Sequence, residues 1–164
     1  MPNKNENGKY KINMSCVIIS IQYTRHMGNS ETRQISFEGV QEFIQSYYSL
    51  SATTILINTF SSNEQNCIIQ HTTLPNKEEE IINNLLENKS SISKIIIYGK
   101  NCRDNSVSKK IEQFKSLGIL GRVKVEIYTA GIFEWLLLQE IYGTELFPTA
   151  GGDGGQMIDL LKYK

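Results

Sequence analysis

A single α/β domain, with a central, mainly parallel sheet flanked by helices on both faces, is predicted by the alternation of short apolar strands with amphipathic helices. Two strand candidates carry the prediction. Thr54–Asn58 (TILIN) and Lys94–Tyr98 (KIIIY) are compact apolar runs of the kind found in strands covered on both sides. A helix-length segment lies between them, and a strand–helix–strand crossover packs its helix against the sheet. The chain's 164 residues suffice for one hydrophobic core and are too few for two ordinary domains. Hydrophobic residues at 40% and charged residues at 21% exclude wholesale disorder.

In chain order, residues 1–34 read as an N-terminal extension. Its first 13 residues are polar and Asn/Lys-rich, too poor in apolar surface to offset the entropy of ordering. Cys16–Tyr23 (CVIISIQY) is β-branched, of strand length, and suited to an added edge strand. The body spans residues 35–149. Ser36 is placed as an N-cap, with Glu38 in the first helical turn and Val40, Phe43, Ile44 and Tyr47 on one apolar face. After the TILIN strand, Asn76 is placed as the next cap, with Glu79 three residues on as in a capping box and Ile81, Ile82, Leu85 and Leu86 as the buried stripe. Glu78–Glu80 then point in different directions and read as a solvated face, not as paired catalytic carboxylates.

A third helix, capped at Asn105 or Ser106, carries Val107, Ile111 and Phe114 on one face, with Gly118 just past its end. Val123–Tyr128 is a further strand, and Gly131–Tyr142 a last helix closed by Gly143. Phe133, Trp135, Leu136, Leu137 and Leu138 make that helix apolar nearly all round. Most of it therefore belongs in the core, and the remainder suits contact with another protein or a second copy, here assigned to Phe133, Trp135 and Leu138. Residues 150–164 read as a glycine-rich flexible tail, whose Ile158, Leu160 and Leu161 suit docking on the body or on a partner.

Composition excludes several function classes. Seventeen Lys and Arg balance seventeen Asp and Glu, so no global charge favours nucleic acid or an anionic membrane. The early apolar run Cys16–Ile21 is far too short to span a bilayer. Three cysteines, an odd number with no C-x-x-C spacing, argue against a disulfide framework or structural zinc and point to a reducing, cytoplasmic compartment. No nucleotide, zinc-protease or calcium motif occurs, so no cofactor and no metal is implied. Cys67 and His71 invite a Cys/His dyad or a metal pair, yet Cys67 beside Ile68 and Ile69 reads more simply as core filling.

Ligands of parallel sheets gather at the carboxyl ends of the strands. That rule selects the loop after Tyr98, with Gly99, Lys100, Asn101, Arg103, Asp104, Asn105 and Ser106 as binding residues. Cys102 lies in it, beside Lys100 and Arg103 and just ahead of a helix N-terminus, an environment that favours a thiolate. Arg103 is placed to clamp an oxyanion.

Three stretches carry a resemblance. Ala130–Trp135 (AGIFEW) resembles the Gly-Gly-aliphatic-x-x-Trp segment of rhodanese-like domains, with Ala130 replacing the first Gly. Phe147–Pro148 is similar to the aromatic-proline pair that follows. Cys67–Pro75 (CIIQHTTLP) sits where the family has a His-Ile-Pro-Gly-Ala-type segment, with Leu74 and Pro75 matching and Cys67 at the His position. The resemblance runs from about Ile35 to Thr149, and wording such as IIIYGKN and DLLKYK is similar to rhodanese-like proteins of large DNA viruses and some protists.

The resemblance implies a single rhodanese-like domain. In active members it implies a cysteine directly after the strand that here ends at Tyr98, where this chain has Gly99. The family's Asp-x-Arg signature falls on Asn58–Thr59–Phe60. With both patterns broken, the implied role is a protein-binding or structural module, and the enzyme alternative is a sulfurtransferase that uses the displaced Cys102. The phosphatase pattern, Cys followed five residues later by Arg, is not met, because Arg103 follows Cys102 at once.

Overall fold

The computed structural model describes residues 32–151 and 160–164. Four parallel strands form the sheet: β1 (Thr32–Gln34), β2 (Thr54–Asn58), β4 (Lys94–Tyr98) and β5 (Lys124–Tyr128), in the spatial order β1-β5-β4-β2. β3 (Ile68–Ile69) pairs antiparallel with β6 (Thr149–Ala150) in a small separate ladder. The helices are α1 (Phe37–Gln45), the short α2 (Tyr47–Leu50), α3 (Pro75–Leu86), α4 (Ser106–Ser116) and α5 (Gly131–Tyr142). The architecture is the mixed α/β fold with a central parallel sheet expected from the sequence.

Period-two alternation divides the sheet between two cores. Leu56, Ile96, Tyr98 and Tyr128 face Val40 and Phe43 of α1 and Ile132, Trp135 and Leu136 of α5. Ile55, Ile57, Ile95, Ile97, Val125 and Ile127 face Ile82 and Leu85 of α3 and Val107, Ile111 and Phe114 of α4. Both faces of β2 and β4 are thus covered, which is why their sequences are unbroken apolar runs. Glu126 is an exception on β5. Buried among apolar neighbours, it is neutralised by Lys94 at 3.0 Å and Lys124 at 2.5 Å.

One edge strand of the described sheet is Thr32–Gln34, pairing with Val125–Ile127, and the candidate edge strand Cys16–Tyr23 lies outside the described residues. Three local expectations change. α3 starts two residues earlier than the Asn76 cap implies: Leu74 is its N-cap, without a side-chain bond, and Pro75 fills the first position, where a missing N–H costs nothing. Glu78 is not on a solvated face but buried, ion-paired with Lys110 of α4. Trp135 is wholly buried, so it is no part of a partner-facing surface. Its Nε1 donates to the Pro148 carbonyl at 3.2 Å and its ring meets Phe147 edge-on at 4.9 Å. Phe133 and Leu138 pack partly buried against the same core, leaving Leu137, Ile141 and Tyr142 as the exposed apolar side of α5, with Leu146 just beyond.

The loop before β3 is held to the sheet by one strand residue. Tyr98, fully buried, accepts the Ile69 N–H at 3.0 Å and hydrogen-bonds Thr72 Oγ1 at 2.8 Å through its phenol oxygen. This contact brings Cys67–Pro75 to the carboxyl end of β4. No helix among the described residues is long and apolar enough to cross a membrane.

Candidate functional site

Gly99 opens the loop at the carboxyl end of β4, and α4 begins at Ser106. The loop's carbonyl side is occupied by α5. Ala130, the N-cap of α5, has no polar side chain to satisfy the first helical amides. Those amides turn to the loop instead: Ile132 N–H donates to Gly99 O at 3.1 Å and Phe133 N–H to Lys100 O at 3.0 Å. So close an approach requires Gly131. Its φ is +65°, and a Cβ there would run into the Gly99 carbonyl oxygen and lie 2.9 Å from the Lys100 carbonyl carbon and oxygen.

The loop's amide side is occupied by the loop itself. Lys100 N–H donates to Asp104 Oδ2 and Ser106 N–H to Asp104 Oδ1, each at 2.9 Å. Asn101 Oδ1 accepts the Arg103 N–H at 2.8 Å. Converging amides at a helix N-terminus form an anion site, and here the anion is the chain's own carboxylate. Burial pushes the Asp104 carboxyl upward, but the bonds from Lys100 and Ser106 outweigh it and hold it below its ordinary value. A Cβ on Gly99 would lie 2.8 Å from both Asp104 Oδ2 and Val107 Cγ2.

Around this centre, Lys100 Nζ pairs with Glu64 at 2.5 Å. The pair and the Ser61 hydroxyl lower the Glu64 carboxyl to about 2 from 4.5. A carboxyl depressed in the folded chain stabilises it above the unfolded pKa, and that contribution is lost as pH falls through the folded one. For Glu64 the window runs from about pH 4.5 down to about 2, and Asp104 adds a loss of the same sign. Acid titration followed by circular dichroism should therefore show a shallower loss of stability over that window in Glu64→Gln than in the unaltered chain.

The other candidates separate. Cys102 is half-buried and disulfide-bonded, so its sulfur is not a thiol here, and the cysteine count no longer supports a reducing compartment. Arg103 is exposed, and the loop uses its amide. Asn105 is the N-cap of α4 without a side-chain bond, while Ser106 Oγ and Thr59 Oγ1 are 2.6 Å apart. Cys67 and His71 have different neighbours: Cys67 lies beside Tyr163, and His71 stacks on Tyr47 with ring centroids 3.8 Å apart. Among the described residues no group of three or more His, Cys, Asp or Glu side chains is placed to hold a metal ion.

Three features of the site escape sequence reasoning. Asn58 and Gln65 form a reciprocal amide pair, Nδ2 to Oε1 at 2.8 Å and Nε2 to Oδ1 at 3.0 Å, so the end of β2 presents a neutral amide pair at this point. Tyr163 reaches the loop from the far end of the chain, its carbonyl accepting Asn101 Nδ2 at 2.7 Å. A cleft of about 280 Å³ opens beside Ser106, lined also by Asn58, Thr59, Lys109, Lys110 and Gln113. Gly131 alone had a local signal, its place at the start of a predicted helix.

No protein-family model matches the sequence, and no curated protein matches it. Solved structures do. One structure of Ygr203w, described as a yeast protein tyrosine phosphatase of the rhodanese family, superposes with a TM-score of 0.54 at 16% identity, covering 76% of this chain and 96% of that one. A second structure of the Saccharomyces cerevisiae protein, described as a homologue of single-domain rhodanese and the Cdc25 phosphatase catalytic domain, gives 0.51 at 15% identity over 74% and 89%. At such identities the likeness speaks for the fold alone, and together with the sheet order and the helices on both faces it gives this chain the fold of single-domain rhodanese-like proteins.

Proposed function

We propose that this chain is a catalytically degenerate rhodanese-like domain that acts as a protein-binding or structural module. The observation that carries the reading is the Asp104 carboxylate seated on the amides of Lys100 and Ser106, with Gly99 at the head of the loop. Sulfur transfer needs a thiolate there, and free amides to hold the anionic donor. In this proposal Gly99 stands where the family resemblance places the cysteine, and the Lys100 and Ser106 amides are already taken. The surface offered to a partner is the exposed side of α5, Leu137, Ile141 and Tyr142, continued by Leu146.

The second reading, sulfur transfer through Cys102, is favoured by its place in the loop beside Lys100 and Arg103. It requires reduction of the Cys102 disulfide first. The thiolate would then attack the outer sulfur of thiosulfate, whose S–S bond breaks so that sulfite leaves with the electron pair and a persulfide remains.

Both readings are tested by incubating the reduced chain with thiosulfate, adding cyanide, and measuring thiocyanate together with the mass of the Cys102 peptide. Thiocyanate at the buffer rate and an unmodified peptide are expected. Turnover with one added sulfur on Cys102 would replace the module reading with the enzymatic one.

A further inference from the structure

Leu160–Tyr163 forms a single 3₁₀ turn, and its four residues meet the rest of the protein very unevenly. Leu161 is 74% exposed and Tyr163 only 4%. Of the apolar residues expected to dock, Leu160 packs partly buried against the core, Leu161 does not, and Ile158 lies outside the described residues; the most deeply seated side chain is Tyr163. Its ring lies beside Phe60, with centroids 6.2 Å apart. Its hydroxyl lies beside the Cys67 thiol, and its carbonyl accepts from Asn101 Nδ2. Burial pushes the phenol up to about 12 and the Cys67 thiol above its ordinary value, so both stay protonated near neutrality.

A four-residue turn has little stability of its own, since helical nucleation is costly and so short a segment repays little of that cost. The segment's attachment rests on the buried Tyr163, the part-buried Leu160 and the Asn101 bond. Segments with so few buried contacts open locally, below the free energy of global unfolding. The groove left behind would present the Phe60 ring, the Cys67 thiol and the Asn101 amide, a set that matches a phenol ring, a phenol hydroxyl and a backbone carbonyl respectively. Asn101 also ties the groove to the candidate site, because its Oδ1 holds the Arg103 amide while its Nδ2 holds Tyr163.

We propose that the groove over Phe60, Cys67 and Asn101 is a receptor for a tyrosine-bearing segment, filled in cis by the chain's own Leu160–Tyr163, which seats and leaves without unfolding the domain. This goes beyond the module reading and does not depend on it.

Cys67 reports the seat. In the full chain under native conditions, its alkylation by iodoacetamide is followed by mass spectrometry of the Cys67 peptide. Tyr163→Ala should raise the rate by about tenfold or more, and Tyr163→Phe, which keeps the ring, by only about threefold or less. Adding a synthetic peptide of residues 158–164 to Tyr163→Ala should restore protection, and the same peptide with alanine for tyrosine should not. Equal rates in Tyr163→Ala and the unaltered chain would overturn the proposal, as would failure of the tyrosine peptide to protect. A second measurement needs no variant: in the unaltered chain, low urea should leave Cys67 labelling nearly unchanged while β4 amide exchange accelerates. Labelling that tracks global unfolding would make Tyr163 a fixed part of the core and overturn the proposal equally.

Discussion

A Gly99→Cys variant should gain no sulfurtransferase activity and should lose about 2–4 kcal/mol of stability. Placing a cysteine at position 99 ignores what surrounds it. The new Cβ would fall 2.8 Å from Asp104 Oδ2 and 2.8 Å from Val107 Cγ2. Val107 is buried in the core under α4, and Asp104 is fixed by two amides. Relief by moving Asp104 strands the Lys100 and Ser106 amides, and relief by moving Val107 disturbs the packing of Ile111 and Phe114. Thermal denaturation and a thiocyanate assay check both halves of the prediction. Turnover by this single variant would mean that the carboxylate yields its place readily. The double variant Gly99→Cys with Asp104→Gly should recover part of the lost stability and bind sulfate, since it clears the close oxygen contact and frees the two amides.

Gly131→Ala should be the more damaging substitution, at about 3 kcal/mol or more, a large share of the stability of a domain this size. The left-handed φ of +65° accounts for part of the cost. The greater part is steric, because the methyl would meet backbone atoms of Gly99 and Lys100, not a side chain that can swing aside. Separation of α5 from the loop would break the bonds from Ile132 and Phe133 that supply the helix with its missing cap. Gly118→Ala is the control. Gly118 has φ +70° but nothing within 4 Å of an added Cβ, so only the backbone cost of about 1 kcal/mol applies. Equal melting temperatures for the two variants would refute the steric argument.

The sequence by itself determined what depends on neighbours along the chain. β2, β4 and α5 have the bounds read from TILIN, KIIIY and GIFEWLLLQEIY, because side-chain period and glycine placement act within a few residues. The loop between Tyr98 and Ser106, read as a connection from a parallel strand to a helix, followed from the same alternation. Tertiary structure decided what depends on pairs far apart. β1 is three polar residues held by backbone bonds to β5, which leave no side-chain pattern to read. Glu78 turns inward because Lys110 waits there on another helix. Trp135 points into the core rather than toward a partner because Phe147 and Pro148 fold back over it. Asp104 was visible as a loop carboxylate, but only the folded loop turns the Lys100 and Ser106 amides onto it. The seat of Tyr163 against Asn101 joins residues 62 positions apart, and no local pattern encodes a contact of that range.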